Sequence, residues 1–193
     1  MSTTDPERTP DAATRILHAS ARLFAEGGAA RFNLQEVAES AGVSKGLIHY
    51  HYHDRDTLLA RLIEMLSAAI VARERRAMAT ATAATVIDDM WDWLKGELRR
   101  GQLRVLQELA QEPAALVRGA VLASATHRRD AATETVSRLF ELLGLKPKVP
   151  PALLASVVVA FHDGVVLHAA VAPEQDPRVV FDVFWLGMLE VAE

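Results

Sequence analysis

The chain has 193 residues, 50% of them hydrophobic and 24% charged, enough apolar material for a sizeable core and too much for a disordered tail. It has no cysteine, which excludes disulfides, iron–sulfur clusters and thiolate zinc sites and fits a reducing cytosol. Its net charge of −4 disfavours sequence-independent coating of nucleic acid, so any such contact must come from a local patch.

In chain order, residues 1–10 are polar, carry two prolines and lack the apolar run of a signal peptide. The pattern then reads as helix throughout, because alanine and leucine dominate and no β-branched alternation of strand length occurs. A first helix is expected over 11–26, with Pro10 at its start, Ile16, Ser20 and Leu23 beside Leu17, Ala21 and Phe24 on one face, and Gly27-Gly28 as its stop. A second is expected from Asn33 to near Ala41, with Asn33 and Glu36 at capping-box spacing. Gly42 turns the chain, and Ser44 caps a third helix ending near His51. Asp54 caps a long fourth helix that runs to about Ala79. Five more are expected over 82–99, 102–111, 113–143, 151–172 and 177–192, the third of these long enough to be interrupted near 127–130. The prolines at 113, 147, 150, 151, 173 and 177 fall at helix starts or between helices. The segment 152–172 is apolar enough to raise a membrane span, but His162, Asp163 and His168 sit inside it, so a buried bundle helix and no membrane are expected.

The informative stretch is 33–59, NLQEVAESAGVSKGLIHYHYHDRDTLL. Val37-Ala38 is an apolar-small pair that lets a second helix pack close, Gly42 supplies the corner, and Val43 plugs back into the core. The arrangement is that of a helix-turn-helix, whose second helix enters the DNA major groove; short helix pairs with a glycine corner also occur in plain bundles. In the second helix Leu47 and Ile48 point inward and Tyr52 covers the end, leaving Lys45, Gly46, His49 and Tyr50 outside. Lys45 can reach guanine O6 and N7. Gly46 costs about 1 kcal/mol in a helix relative to alanine and would be repaid by close backbone approach to bases. His49, Tyr50 and His51 are rigid donors of a size suited to base edges or phosphate, and Arg55 can hold a phosphate at the positive end of the fourth helix. His49, His51 and His53 at two-residue spacing spread around a helix, so no metal site is expected there.

The region TRILHASARLFAEGG followed by 33–59 resembles the DNA-binding domain of TetR (tetracycline repressor) family regulators over about residues 13–60. The likeness rests on Ile16-Leu17, Ala21, Leu23-Phe24, Gly27, Val37-Ala38, Ala41-Gly42-Val43-Ser44 and Leu58-Leu59. The chain departs from the usual pattern at His49, where tyrosine is common, at Tyr52, where phenylalanine is common, and at Arg55, where lysine is commoner. These departures bear on the operator, and the Tyr52 hydroxyl needs a partner or solvent. The resemblance implies that Gln35, Lys45, Gly46 and His49 face bases while Asn33, Ser44, Tyr50, His51 and Arg55 face the phosphate backbone.

The implied architecture is all-α with about nine helices: a three-helix helix-turn-helix domain over 1–56 and a helical effector-binding and dimerisation domain over 57–193. The last two expected helices are apolar on all sides and need more cover than one chain supplies; the resemblance implies a four-helix interface with a second copy. His162 and Asp163 would then be buried polar residues needing partners, and no nucleophile is placed beside them for catalysis. In the middle of the chain Met90, Trp91, Trp93, Leu106 and Phe140, with Gln107, Thr126 and His127 as polar anchors, are candidate lining for a small apolar or aromatic effector, against the plainer reading as core packing. The expected function is a cytoplasmic, non-enzymatic, sequence-specific regulator, a repressor released from a pseudo-palindromic double-stranded operator by that effector, with no cofactor. The competing expectation is a helical small-molecule carrier or enzyme that reuses the fold, for which the Lys45–Tyr50 surface would have no use.

Overall fold

The computed structural model describes residues 11–193, apart from the side chain of Ala30. Nine helices appear among the described residues: α1 (Ala12–Arg31), α2 (Leu34–Ala41), α3 (Lys45–Tyr52), α4 (Arg55–Thr80), α5 (Val86–Arg100), α6 (Gln102–Leu109), α7 (Ala115–Leu143), α8 (Pro151–Val171) and α9 (Pro177–Leu189). Pro10, expected at the start of α1, lies outside the described residues. Helix starts follow local chemistry. The side chains of Asp11, Asn33, Ser44, Asp54 and Asp176 each accept a hydrogen bond from a backbone N–H in the first turn, satisfying donors the helix itself leaves orphaned.

Gly28 breaks α1, as the glycine pair suggests: it takes φ 64 and ψ −173, and a short helical turn follows the break as far as Arg31. A Cβ at Gly28 would lie 2.9 Å from Glu108 Oε2, so the break lets α1 press against α6. One expectation is corrected: α7 runs uninterrupted through His127–Asp130. The domain boundary expected after residue 56 falls within the first turn of α4, a single continuous helix.

The core is laid along α4. Leu58, Leu59, Leu62, Ile63, Leu66 and Ile70 are all at most 1% exposed, and α4 packs chiefly on α7, then α5, α1 and α6. A fully buried leucine of this kind contributes about 1.5–3 kcal/mol. Helix α8 lies on α7 and also touches α5 and α6. It is the one helix among the described residues long and apolar enough to suit a membrane span. Of its polar residues, Asp163 pairs with Arg128 at 2.7 Å, while His162 is buried against Trp93 with ring centroids 5.0 Å apart, and the Nε2 atoms of His162 and His168 have no hydrogen-bond partner among the described residues. The segment between α7 and α8 pairs with the residues after α9, through Lys146 N–H to the Glu193 carbonyl (2.8 Å) and Lys148 N–H to the Val191 carbonyl (2.9 Å).

Two buried titratable groups oppose each other in pH. Burial pushes Glu74 up to about 7, against the Thr135 hydroxyl bond at 2.8 Å and the nearby Arg128 and Arg75 charges, which pull it down. Burial, with the Arg128 charge, pushes His162 down to about 3. The folded chain therefore holds the Glu74 proton across a pH range in which the unfolded chain has released it, and stability falls as pH rises from about 4.5 to about 7. His162 acts in the other direction, adding stability as pH rises from about 3 to 6.5. Glu74→Gln should remove only the first effect. Urea unfolding at a series of pH values should show the variant gaining on the native chain across pH 4.5–7, by roughly 3 kcal/mol at the upper end. A stability difference that stays constant with pH would contradict this assignment.

Candidate nucleic-acid interface

Helices α2 and α3 form a compact pair because their inner faces are sealed and their corner is tight. Val37, Ala38, Ala41, Ile48 and Tyr52 are buried. Gly42 adopts φ 64, and the Val43 N–H returns to the Ala38 carbonyl at 3.0 Å, a closure that strongly favours glycine at the left-handed position. The Tyr52 hydroxyl has a partner: it donates to the Ala13 carbonyl at 2.8 Å, tying the end of α3 to the start of α1. Burial raises its phenol above the usual range, with the Asp11 charge adding to the effect.

The outer surface of α3 carries Lys45, Gly46, His49, Tyr50 and His51, all exposed, and Tyr50 most prominently at 76%. Lys45 makes no ion pair or side-chain hydrogen bond among the described residues. His49 is tethered: its Nδ1 lies 2.7 Å from the His53 carbonyl. As the donor to that carbonyl, Nδ1 must carry a proton, leaving Nε2 as the ring's other polar atom. His53 itself sits at φ 59 and ψ −59, with the Asp54 N–H on the Tyr52 carbonyl at 2.6 Å. This is the rare positive-φ γ-turn, a strained link between α3 and α4.

The residues expected at phosphate divide into two groups. The Ser44 oxygen accepts from Leu47 N–H at 3.2 Å, which leaves its hydroxyl hydrogen free to donate. Asn33 caps α2, accepting from Glu36 N–H at 2.9 Å and donating one amide hydrogen to the Arg31 carbonyl at 3.4 Å, with the second left to donate. Gln35, expected at bases, donates to Glu39 at 2.8 Å on the exposed side of α2. Arg55, also expected at phosphate, makes a two-pronged pair with Glu112, at 3.0 and 2.8 Å, in the segment between α6 and α7, with 35% of its side chain still exposed. It also lies over the Phe32 ring at 5.8 Å. The pair raises Arg55 and lowers Glu112 from their ordinary values through the shared hydrogen bonds. Sequence reading missed Glu112 because a partner 57 positions away leaves no periodic mark.

The candidate effector residues do not share one cavity. Met90 and Phe140 fill the core at 0% and 2% exposure. Trp91 is packed on Phe181 (centroids 5.3 Å apart) beneath the Arg178 guanidinium, and Thr126 is exposed to solvent. His127 lies beside the Ser67 hydroxyl at 3.5 Å. Trp93 borders an open depression of about 350 Å³ with Arg73, Arg76, Arg99 and Arg100. Leu106 and Gln107 do line a cavity of about 130 Å³ between α4, α6, α7 and α8, but its end is polar, formed by Arg128, Asp163 and Ser124. Met90, Trp91 and Trp93 are each buried. Asp163 needed a partner on burial grounds alone, which was the one available signal for Arg128.

The part of the chain that carries this surface is similar to known proteins. A family model described as "Bacterial regulatory proteins, tetR family" matches residues 16–62. The HTH-type transcriptional regulator TtgR of Pseudomonas putida is 33% identical over 60 residues, which span 31% of this chain and only 29% of that regulator. The HTH-type transcriptional repressor Rv1474c of Mycobacterium tuberculosis is 28% identical over 171 residues, covering 85% of this chain and 84% of that one. The reduced form of NemR from E. coli superposes with a TM-score of 0.77 at 16% identity over 94% of this chain and all of that one, a likeness of fold.

Gly46 offers a clean test of close approach. A Cβ there would meet only the Ser44 oxygen at 3.8 Å, an ordinary contact. Gly46→Ala should therefore leave stability unchanged or raise it by up to about 1 kcal/mol, while weakening duplex binding by about tenfold or more. Undiminished DNA affinity in gel shifts would show that no base edge approaches the backbone at this point.

Proposed function

The chain belongs to the TetR family of transcriptional regulators, and from that premise we propose that it is a cytoplasmic, homodimeric repressor that binds a pseudo-palindromic operator and leaves it when a small effector binds. The observation that carries the reading is the outward face of α3. Lys45, His49 and Tyr50 stand exposed around a glycine that clears the way to the backbone, while the opposite face is sealed into the core. Lys45, Gly46, His49 and Gln35 read bases in the major groove, and Ser44, Tyr50, His51 and Asn33 position the phosphate backbone.

Dimerisation follows from an apolar face left without cover. Leu153, Val157, Leu167 and Val171 of α8, and Val179, Val183 and Leu186 of α9, are each at least half exposed. Gly164 and Gly187 have open space beside them that would admit a close neighbour. A patch of this kind suits a self-complementary two-fold interface, and a two-fold dimer carries two readers to two half-sites.

Arg55 gives the reading a switch. In the free chain Glu112 occupies the guanidinium that the helix start would otherwise offer to a phosphate. Operator binding exchanges one anion for the other. Glu112 follows α6, which carries Leu106 and Gln107 at the interior cavity. Helix α6 is also tied to the DNA-binding part through Arg104, which donates to the Ala25 carbonyl. An effector in that cavity acts on the same segment that holds Arg55, and it shifts the equilibrium only by its differential affinity for the two states.

Gel shifts against the DNA upstream of the chain's own gene test this directly. Lys45→Ala should lose sequence preference, costing about 1–3 kcal/mol at one position. Arg55→Ala should weaken all sequences alike, and Glu112→Gln should strengthen binding by releasing Arg55. Binding should weaken steeply with salt. Weaker binding by Glu112→Gln would mean the ion pair supports the DNA-bound form instead. For the interface, Val183→Glu should yield folded monomers in sedimentation analysis; a dimer that persists would place the two-fold contact elsewhere.

A further inference from the structure

The cavity between α4, α6, α7 and α8 has an apolar wall of Ile63, Leu106 and Val121 and a polar end of Arg128, Asp163 and Gln107. At about 130 Å³ it is well below the ~300–1,000 Å³ of drug-sized sites, so its occupant is one ring or a short chain. Arg128 governs its chemistry. The side chain is 12% exposed, yet among the described residues the guanidinium makes a single hydrogen bond, from Nη2 to Asp163 Oδ1 at 2.7 Å. A guanidinium has five N–H donors and prefers a two-pronged carboxylate. A largely buried cation with one partner is short of acceptors.

Asp163 is built to give way. Its side chain is 38% exposed, so its carboxylate can turn into water. Its backbone stays in place, because the Gln107 amide donates to the Asp163 carbonyl at 2.8 Å.

We infer that this cavity is a site for a small monocarboxylate with a short apolar or aromatic body, whose carboxylate takes Arg128 from Asp163 while the body lies against Ile63, Leu106 and Val121. This deepens the effector reading above and rests on it for its regulatory meaning. The anionic head replaces the few-charge effector expected from the sequence. The exchange is ion for ion, so no charge is left buried without a partner. It also bears on the contact between Gln107 and Asp163 that joins α6 to α8.

The test is calorimetric titration of the full chain with benzoate and hexanoate against their amides, benzamide and hexanamide. The carboxylates should bind at least tenfold more tightly than the amides. Arg128→Gln should erase that preference, and Arg128→Lys should restore part of it. Asp163→Asn, which keeps the backbone carbonyl but removes the competing anion, should tighten benzoate several-fold, an improvement that a merely structural ion pair would not give. Should Arg128→Gln fail to fold, the acid–amide comparison and Asp163→Asn still decide. Equal affinity for acid and amide, no binding of either carboxylate, or weaker benzoate binding by Asp163→Asn overturns the inference. Gel shifts run in parallel separate the two claims. Carboxylate binding without operator release leaves the site standing and removes the effector reading, whereas release by neutral compounds alone removes the site and leaves that reading.

Discussion

Helix α4 has to be buried along most of its length, and the molecule is arranged to satisfy that requirement. Its apolar stripe from Leu58 to Ile70 is closed by α7, α5, α1 and α6. Packed interiors do not deform continuously, so a displacement on one side of such a helix is passed along it. The same helix begins at Arg55, immediately after the strained turn at His53 that closes α3. The exposed face of α3 and the interior therefore adjoin one rigid element, and the cavity meets it at Ile63, within its first half.

Helix α6 is the second shared element. It is short, but it is held on three sides: by Arg104 on the Ala25 carbonyl, by Gln107 on the Asp163 carbonyl, and through the following segment by Glu112 on Arg55. Each contact uses a charged or amide donor, and each joins elements far apart in the chain. Contacts of this type are exchangeable in a way that core leucines are not, because water, phosphate or a ligand carboxylate can replace the partner. The pairs Arg55–Glu112 and Arg128–Asp163, both reached through α6 or its following segment, are two such contacts at which an incoming anion would have a cation to take.

What was legible in the sequence follows from the range of the interactions. The caps at Asn33, Ser44 and Asp54, the corner at Gly42 and the close pair Val37-Ala38 are settled within a few residues, so the limits of α2 and α3 and the start of α4 could be read directly, whereas α5, expected from residue 82, begins at Val86 and α9, expected to 192, ends at Leu189. The Tyr52 hydroxyl could be identified as needing a partner, though Ala13 could not be named, because 39 residues separate them. The break at Gly28 looked like a stop because glycine signals positive φ without saying whether a helix resumes. The effector residues were the least legible. Met90, Trp91 and Phe140 sit at spacings that serve a filled core as well as a lined cavity, and the residues that give the cavity its character, Arg128 and Asp163, meet across two helices.

The claim on which the account turns is that two copies of the α3 surface read two matching half-sites. Selection of bound duplexes from a random pool by the full chain, followed by measurement of the number of chains per duplex, tests it most directly. The account expects an inverted repeat occupied by a two-fold dimer or a multiple of it. Recovery of sequences with no inverted repeat, or a single chain bound per duplex, would contradict it.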